Sequence, residues 1–302
     1  MKVAVSRPVG PSIGLVAALL VLAVGRGEAR AEAGASTLPP STPYVIAQTY
    51  ALQSQVLNEK RELNIMLPEG YAEQPDQRYP VVYLLDGGQQ EDFTHMAGAV
   101  QYASFSWVQR LPPVILVGIS NTDRKRDMTF KASPQFVWPK WLHGYTEAYK
   151  HAGGSANFIR YIETEVQPFV ERHFRTSGDR LLVGQSLAAL LATEILLKKP
   201  ALFNHYVIMS PSLWWDNGSL LKQAPQHLRL LPASPLKVYL AVGKEGPEMV
   251  KDARALAAQL RQHKTPQMQF VFEYLPKEDH GSILHPAALN AFGHFFPRPA
   301  AQ

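Results

Sequence analysis

The feature of this sequence that most constrains its fold is an alternation of short apolar runs with helix-like segments from about residue 45 onward. Eight runs have the length and composition of strands: VIAQTYAL, RELNIMLP, YPVVYLLD, PPVILVGIS, RLLVG, HYVIMS, LKVYLAVG and QFVFEYLP. Several are apolar throughout, as expected for strands covered on both faces. The helix-like segments lie at about 96–110, 155–173, 186–199, 248–263 and 283–296. This alternation predicts an α/β fold, with a mostly parallel central sheet of about eight strands and helices on both faces.

The connections between these runs indicate how the domain is organised. Short turns join the first strands, which predicts an antiparallel edge. We place all the runs in one domain at about 45–298, because 302 residues of which 46% are hydrophobic suffice for one sizeable core. The one long irregular insertion, at about 121–155, is rich in aromatic residues. It is either a lid over a pocket or a helical excursion.

The N-terminal segment has the pattern of a secretory signal peptide. A start with two basic residues precedes the apolar stretch Ser12–Gly25, and Ala29-Arg30-Ala31 fits an A-x-A cleavage site. The apolar stretch is shorter than the roughly 20 residues of a membrane span, which disfavours an uncleaved anchor. We therefore predict a signal peptide over 1–31, a linker over 32–44, and a secreted or periplasmic protein without a stable membrane span.

Charge and composition exclude several classes of function. The net charge of +5 falls to about +2 without the leader, which carries four basic residues and one acidic residue, so nucleic-acid binding is not predicted. The absence of cysteine excludes disulfides, thiolate chemistry and cysteine-based metal sites. The sequence also lacks metal-ligand spacing, a phosphate loop and a dinucleotide fingerprint, so we predict neither a cofactor nor a metal.

A single serine, Ser186, separates the strand-like RLLVG from the helix-like LAALLATEILLKK. Taken alone, Ser186 is better explained as a helix N-cap. A sharp strand–serine–helix turn requires small residues two positions before and after the serine, and these positions hold Gly184 and Ala188. The helix N-terminus directs amide groups and a positive dipole end toward the turn. Ser186 is therefore a candidate nucleophile, provided that other parts of the chain supply a base, an acid and an oxyanion site.

Candidates for the base and the acid follow the last two predicted strands. His280 lies between the last strand and the last helix, whereas His285 is more naturally part of that helix. The order serine first, histidine last is that of α/β-hydrolase triads. Glu245 and Glu248 follow LKVYLAVG, and we favour Glu245 because it is closer to the strand end. Glu248 is also explained as an acid in the first turn of a helix. The acid would hold the imidazole tautomer and stabilise the imidazolium ion.

An oxyanion site requires two backbone N–H donors. The residue after the serine, Leu187, is one candidate. The other comes from the loop DGGQQ after VVYLLD, where Gly88 is favoured over Gly87 because glycine lets the backbone approach a substrate closely. A plain Asp-Gly turn explains this loop when it is taken alone. The order of glycine loop, serine, acid and histidine favours a single catalytic site.

Longer segments resemble the esterase family of α/β-hydrolases that includes esterase D, the siderophore esterases and, more distantly, the mycolyltransferases. The matching segments cover about 45–297 and include YPVVYLLDGG, VILVGISNTDRKRDMTF, FIRYIETEVQPFVERHFRT, GQSLAALLATEILLKKPALFNHYVIMSPSLWW and EDHGSILHPAALNAF. The resemblance implies the α/β-hydrolase fold, with Ser186 as the nucleophile, His280 as the base, and Leu187 and Gly88 as the oxyanion donors. It implies Glu245 as the acid less firmly, because some siderophore esterases have a serine–histidine dyad.

The sequence departs from this family at the predicted elbow. Relatives usually have G-H-S-x-G-G, whereas here Gln185 replaces the histidine and Ala188-Ala189 replace the two glycines. Alanine is still small enough for the turn, so the change bears on the shape of the pocket rather than on the fold.

We therefore expect an exported serine hydrolase that cleaves a small-molecule carboxylic ester, of siderophore or aromatic type, through an acyl-enzyme. Residues that are candidates for substrate contact are Gly87, Gln185, Arg124, Trp214 and Trp215. A salt-bridged loop explains Arg124 as well, and a buried loop explains the two tryptophans. Two alternatives remain open, namely an acyltransferase of the same fold and a non-catalytic ligand-binding protein.

Overall fold

The apolar runs form strands because β-branched and aromatic residues favour a pleated backbone that is buried on both faces. This computed structural model describes residues 39–297, of which those from Val45 onward belong to one compact unit. The strands are β1 (Gln48–Ser54), β2 (Glu59–Met66), β3 (Tyr79–Leu85), β4 (Ile115–Ile119), β5 (Thr176–Gln185), β6 (His205–Met209), β7 (Leu236–Gly243) and β8 (Met268–Leu275). Each of the eight predicted runs overlaps one of them.

The eight strands form a single sheet in the order β1-β2-β4-β3-β5-β6-β7-β8. β2 pairs antiparallel with both β1 and β4, and every other neighbouring pair is parallel. The predictions of a mostly parallel sheet and an antiparallel edge are thus confirmed. In this arrangement the carboxyl ends of β3, β5, β6, β7 and β8 lie at one edge of the sheet, where α/β proteins place their ligand sites.

The helices are α1 (Phe93–Ser104), α2 (Arg124–Asp127), α3 (Ser155–Tyr161), α4 (Gln167–His173), α5 (Leu187–Lys198), α6 (Trp215–Leu228), α7 (Pro247–Gln262) and α8 (Leu284–Phe295). They cover both faces of the sheet, because successive strand residues point to opposite sides. Val81 and Tyr83 of β3 join a core with α3 to α7, whereas Val82 and Leu84 join a second core with α1 and α8.

One helix, α6, is missing from the sequence prediction. Three residues of its first turn, Asp216, Asn217 and Gly218, have positive φ angles of 50°, 56° and 71°, and Pro225 lies inside the helix. Glycine and proline disfavour a helix, and the polar composition of the segment weakens the apolar periodicity on which the prediction depends. Tertiary packing, which buries Trp215 and Leu220, overrides these local signals.

The insertion at 121–155 consists of short helical pieces connected by irregular chain. It contains α2, the 3₁₀ turns Lys140–Leu142 and Thr146–Tyr149, and an isolated bridge between Phe130 and Gly154. The insertion is therefore folded onto the domain, and its role as a lid stays a prediction.

Two predictions about the N-terminal region concern residues that the structure does not describe. The predicted signal peptide and residues 32–38 of the predicted linker lie outside the described residues. Within residues 39–297, no helix has the length and apolar character required to cross a bilayer.

Candidate active site

Ser186 occupies a strained turn between β5 and α5. Its φ and ψ angles are 64° and −120°, a backbone conformation that costs free energy in a residue with a side chain. Three backbone hydrogen bonds hold the turn: Ser186 N–H donates to Met209 O at 3.0 Å, and Ser186 O accepts from Leu190 N–H at 2.9 Å and from Ser212 N–H at 3.2 Å. This is the geometry of a nucleophile elbow, which raises the serine side chain above the sheet edge.

The small residues around Ser186 have the steric role predicted for them. A Cβ atom on Gly184 would lie 2.6 Å from the backbone oxygen of Ala188, closer than real Cβ contacts. β5 and the first turn of α5 therefore approach each other at these two residues. Glycine at position 184 is a requirement of the turn itself, independent of any contact with substrate.

His280 and Glu245 form a hydrogen-bonded pair at the same edge of the sheet. The Nδ1 atom of His280 lies 2.6 Å from Oε2 of Glu245. The Glu245 side chain is only 2% exposed, whereas that of His280 is 48% exposed. A buried carboxylate on Nδ1 leaves Nε2 as the ring nitrogen that is free to exchange protons. Glu248, the alternative acid, lies in the first turn of α7 and makes no such contact.

A serine that the sequence analysis missed, Ser210, also holds Glu245. Its hydroxyl donates to Glu245 Oε1, and the same oxygen accepts the Gly243 N–H at 3.0 Å. Burial of the carboxylate acts to raise the pKa of Glu245, but the hydrogen bonds from His280, Ser210 and Gly243 outweigh it, so the pKa lies below its usual value. Ser210 directly follows β6, so the rule that selected Glu245 at a strand end would also have selected Ser210.

Ser212 lies beside the candidate nucleophile. Its hydroxyl oxygen is 3.4 Å from Ser186 Oγ, and either atom can be the donor. Within residues 39–297, no hydrogen bond joins Ser186 directly to His280. Catalytic hydrogen bonds of this kind are often long in ligand-free enzymes and form in the substrate complex.

A large cavity opens at this edge of the sheet and brings the candidate residues together. Its volume is about 940 Å³, and Ser186, Leu187, Glu245 and His280 all line it. A cavity of this size can bury a ligand as large as a typical drug. The chain therefore places its nucleophile, base and acid candidates, which are distant in sequence, around one space that can hold a substrate.

The two candidate oxyanion donors differ in their surroundings. Leu187 is the first residue of α5, where a backbone N–H has no acceptor within the helix. The Gly88 N–H, by contrast, donates to Oε2 of Glu91 at 2.6 Å, and Asn121 Nδ2 donates to the other Glu91 oxygen at 2.8 Å. Gly88 can therefore meet an oxyanion only if the Glu91 carboxylate moves away from it.

Arg124 lies at the site but is engaged by a carboxylate. Its Nε and Nη2 atoms each donate to Asp86 at 2.7 Å, a bidentate pair, and Nη2 also reaches the Gln185 carbonyl oxygen at 3.4 Å. Arg124 lines the large cavity with its side chain 31% exposed. It connects the ends of β3 and β5 beside Ser186. The structure thus contains the predicted salt bridge, and contact of Arg124 with substrate stays a prediction.

The two adjacent tryptophans have different environments. Trp214 lines the large cavity together with Trp141 and Tyr149 of the insertion. Its ring centroid lies 5.2 Å from that of Trp141 in an edge-to-face arrangement. Trp215 is 2% exposed, and its indole N–H donates to Phe130 O at 2.8 Å. Trp215 is thus a core residue that anchors the insertion, and only Trp214 faces the cavity.

Gln185 and Gly87 support the neighbouring chain. The side-chain amide of Gln185 donates to the backbone oxygen of His280, so Gln185 ties the histidine loop to the elbow. A Cβ atom on Gly87 would lie 2.3 Å from the Cα atom of Gly118, so glycine there allows β3 and β4 to approach. Among residues 39–297, no group of three or more His, Asp or Glu residues could hold a metal ion.

The mostly parallel sheet, the serine elbow and the acid–histidine pair at its carboxyl edge define the α/β-hydrolase class. Solved structures of similar proteins support this class. An IroE-like serine hydrolase from Shewanella oneidensis superposes with a TM-score of 0.75 and 32% sequence identity, covering 83% of this chain and 80% of that chain. The BES protein from Bacillus cereus has a TM-score of 0.74 and 26% identity, covering 87% of this chain and 100% of that chain. The predicted fold class is confirmed.

The sequence of the chain identifies its family within that class. A family model described as "Putative esterase" matches residues 54–283, so the chain belongs to this family and is a carboxylic ester hydrolase. Among curated proteins, ferri-bacillibactin esterase BesA of Bacillus subtilis (strain 168) is 29% identical over 220 residues, which are 68% of this chain and 73% of the relative. The resemblance drawn from the sequence motifs is confirmed.

Proposed function

We propose that this protein is an exported serine esterase that hydrolyses siderophore-type esters through an acyl-enzyme on Ser186. One observation carries the proposal: a serine in a strained elbow shares a cavity with a histidine whose Nδ1 is held by a buried carboxylate at 2.6 Å. The two side chains belong to separate loops, and the fold brings both to the end of the sheet where this class of enzyme performs its chemistry.

The chemistry proceeds in two halves. Ser186 Oγ forms a bond to the ester carbonyl carbon while His280 Nε2 takes the hydroxyl proton, and Glu245 stabilises the imidazolium ion. The tetrahedral intermediate then breaks its bond to the alcohol oxygen, which receives that proton from His280. A water molecule, deprotonated by His280, attacks the acyl-enzyme and releases the acid. The proton returns to Ser186 Oγ.

The oxyanion of both tetrahedral intermediates is held by the Leu187 N–H, which has no acceptor within α5. The Gly88 N–H contributes once Glu91 releases it. Displacement of Glu91 by the substrate would complete the oxyanion site only in the bound state, when it is needed.

The substrate class is supported by the cavity and by the relatives. Trp141, Tyr149 and Trp214 form an aromatic wall, and aromatic rings prefer edge-to-face or offset contact with other rings. BesA is named as an esterase of ferri-bacillibactin, and it aligns with most of this chain. Export is supported by the pattern of residues 1–31, which has the parts of a signal peptide in their usual order.

Ser186→Ala tests the assignment of the nucleophile. The variant should lose about 10³- to 10⁶-fold in kcat toward p-nitrophenyl esters and trilactone siderophores, as removal of a triad serine does. Ser212→Ala is the matched control, because it removes the neighbouring hydroxyl and should retain most of the activity. Unchanged hydrolysis in Ser186→Ala, with an unchanged melting temperature, would contradict the proposal. Binding of a siderophore without hydrolysis or fluorophosphonate labelling would favour a binding protein instead.

A further inference from the structure

A second, smaller cleft adjoins the large cavity at the reactive residues. Its volume is about 430 Å³, and it shares Ser186 and His280 with the large cavity. Asp92 and His95, at the start of α1, and His285, in the first turn of α8, form its far wall. The nucleophile thus lies where two spaces of different chemistry join, one aromatic and one polar.

Three polar side chains of this cleft, those of Asp92, His95 and His285, make no hydrogen bond within the described part of the chain. The Asp92 carboxylate does not cap α1 although Asp92 is its N-cap residue. The rings of His95 and His285 meet edge to face, with centroids 5.3 Å apart, and among the described residues none of their four ring nitrogens makes a hydrogen bond. Polar groups that converge on a cleft without pairing to each other are available to a ligand.

The balance of charge decides which ligand the cleft favours. Asp86 and Arg124 also line it, but they neutralise each other in a bidentate pair. Among the described residues, Asp92 forms no salt bridge, although Arg124 and His95 act on its charge from a distance, and Glu91 adds a second acid nearby. The imidazole nitrogens of His95 and His285 add hydrogen-bonding groups. The cleft therefore attracts a cation or a hydroxyl group and repels a carboxylate.

An ester bound at Ser186 must extend to both sides of its carbonyl carbon. The acyl half stays attached to Ser186 while the oxyanion is held by Leu187, which lines the large cavity and not the small cleft. The departing oxygen must lie against His280, and the small cleft continues from His280 along the start of α8. We infer that the Asp92–His95–His285 cleft is the leaving-group subsite, which takes alcohols that carry an ammonium or hydroxyl group.

This inference rests on the proposed function and names the alcohol that the esterase releases. It is tested with three benzoate esters of matched shape: 2-(dimethylamino)ethyl benzoate, its uncharged analogue isoamyl benzoate, and 2-carboxyethyl benzoate. At pH 7, the ratio of kcat/KM for the ammonium ester to that for the isoamyl ester should be about two to five, as expected for a partly exposed ion pair. The carboxylate ester should be the poorest of the three substrates.

Asp92→Asn should bring the ammonium-to-isoamyl ratio close to one and improve hydrolysis of the carboxylate ester. Because the Asp92 carboxylate makes no cap hydrogen bond and asparagine has nearly the same shape, the fold should tolerate the change. Asp76→Asn, which removes the same charge from an exposed turn before β3, at the opposite edge of the sheet, should leave the ratio unchanged.

The outcomes separate this inference from the proposed function. The leaving-group subsite would be refuted if kcat/KM did not depend on the charge of the alcohol. It would also be refuted if Asp92→Asn kept the wild-type ratio of kcat/KM for the ammonium and isoamyl esters. A change in kcat/KM of Asp92→Asn for methyl 4-(dimethylaminomethyl)benzoate, which carries its charge on the acyl half, would refute the subsite as well. Failure of the proposed function appears differently, as absence of hydrolysis of every ester or as full activity of Ser186→Ala.

Discussion

Replacement of Glu245 by glutamine tests whether the enzyme uses a triad or a serine–histidine dyad. Glu245 Oε1 accepts two hydrogen bonds, from the Ser210 hydroxyl and from the Gly243 N–H, which can only donate. The glutamine oxygen must therefore take this position, and its NH₂ group must face His280 Nδ1. That arrangement requires Nδ1 to accept a hydrogen bond, which places the imidazole proton on Nε2. A ring protonated at Nε2 cannot take the proton from Ser186.

The expected loss of activity in Glu245→Gln follows from this exchange of tautomers. The same change in a serine-protease triad lowers kcat by about 10⁴-fold, so we expect a fall of roughly 10³- to 10⁴-fold, or about 4–5.5 kcal/mol in the activation free energy. Initial rates of p-nitrophenyl acetate hydrolysis at pH 8 measure it. Glu273→Gln is the matched control, because Glu273 also accepts from a histidine, His294, at 2.9 Å, but lines a separate cavity. A folded Glu245→Gln variant within tenfold of wild type would refute the reasoning and establish the dyad.

The lowered pKa of Glu245 also predicts how the stability of the protein depends on pH. Since the pKa of Glu245 lies below its ordinary value of 4.5 in the folded protein, its carboxylate stabilises the fold at pH above that value. This contribution is lost as the pH falls below about 4.5 and through the lowered pKa. The difference in unfolding free energy between wild type and Glu245→Gln should therefore shrink on acidification. Urea unfolding at pH 7 and pH 4 measures it, and a difference that grows at low pH would contradict the prediction.

Two further predictions concern the fold and the aromatic wall. Asp127→Ala removes the carboxylate that Arg61 contacts at 2.7 Å, and the Arg61 side chain is 0% exposed. The variant should lower the unfolding free energy by about 3–5 kcal/mol in urea titrations. Glu147→Ala, at an exposed ion pair, should change the unfolding free energy little, and equal effects of the two variants would contradict the prediction. Trp214→Ala should raise KM for aromatic acyl esters roughly tenfold and leave KM for acetyl esters nearly unchanged. Trp214→Phe should keep KM for the aromatic esters close to the wild-type value. An equal rise in KM for both kinds of ester would refute a contact between Trp214 and the acyl half.

Some missed features share one physical cause. Ser210 and Ser212 follow β6 in the loop that also holds Trp214, and nothing in the local sequence tells which of these side chains points to the cavity. Contacts with Glu245 and Ser186, which lie 35 and 26 residues away in the chain, orient Ser210 and Ser212. The bond from the Trp215 indole to Phe130, 85 residues away, holds Trp215 in the core. The capture of Gly88 by Glu91 depends on the exact path of the loop, which a glycine-rich segment leaves open.

The sequence by itself determined the strands, the serine elbow and the order of the candidate nucleophile, acid and base, because short apolar runs and the small residues of a tight turn act locally. Only the tertiary structure decided that Glu245 meets His280 across 35 residues of chain, that Trp214 faces the cavity while Trp215 is buried, and that α1 and α8 enclose a second cleft beside Ser186. These features depend on how distant elements pack around the sheet, and the free energy of that packing is shared by residues that no local pattern connects.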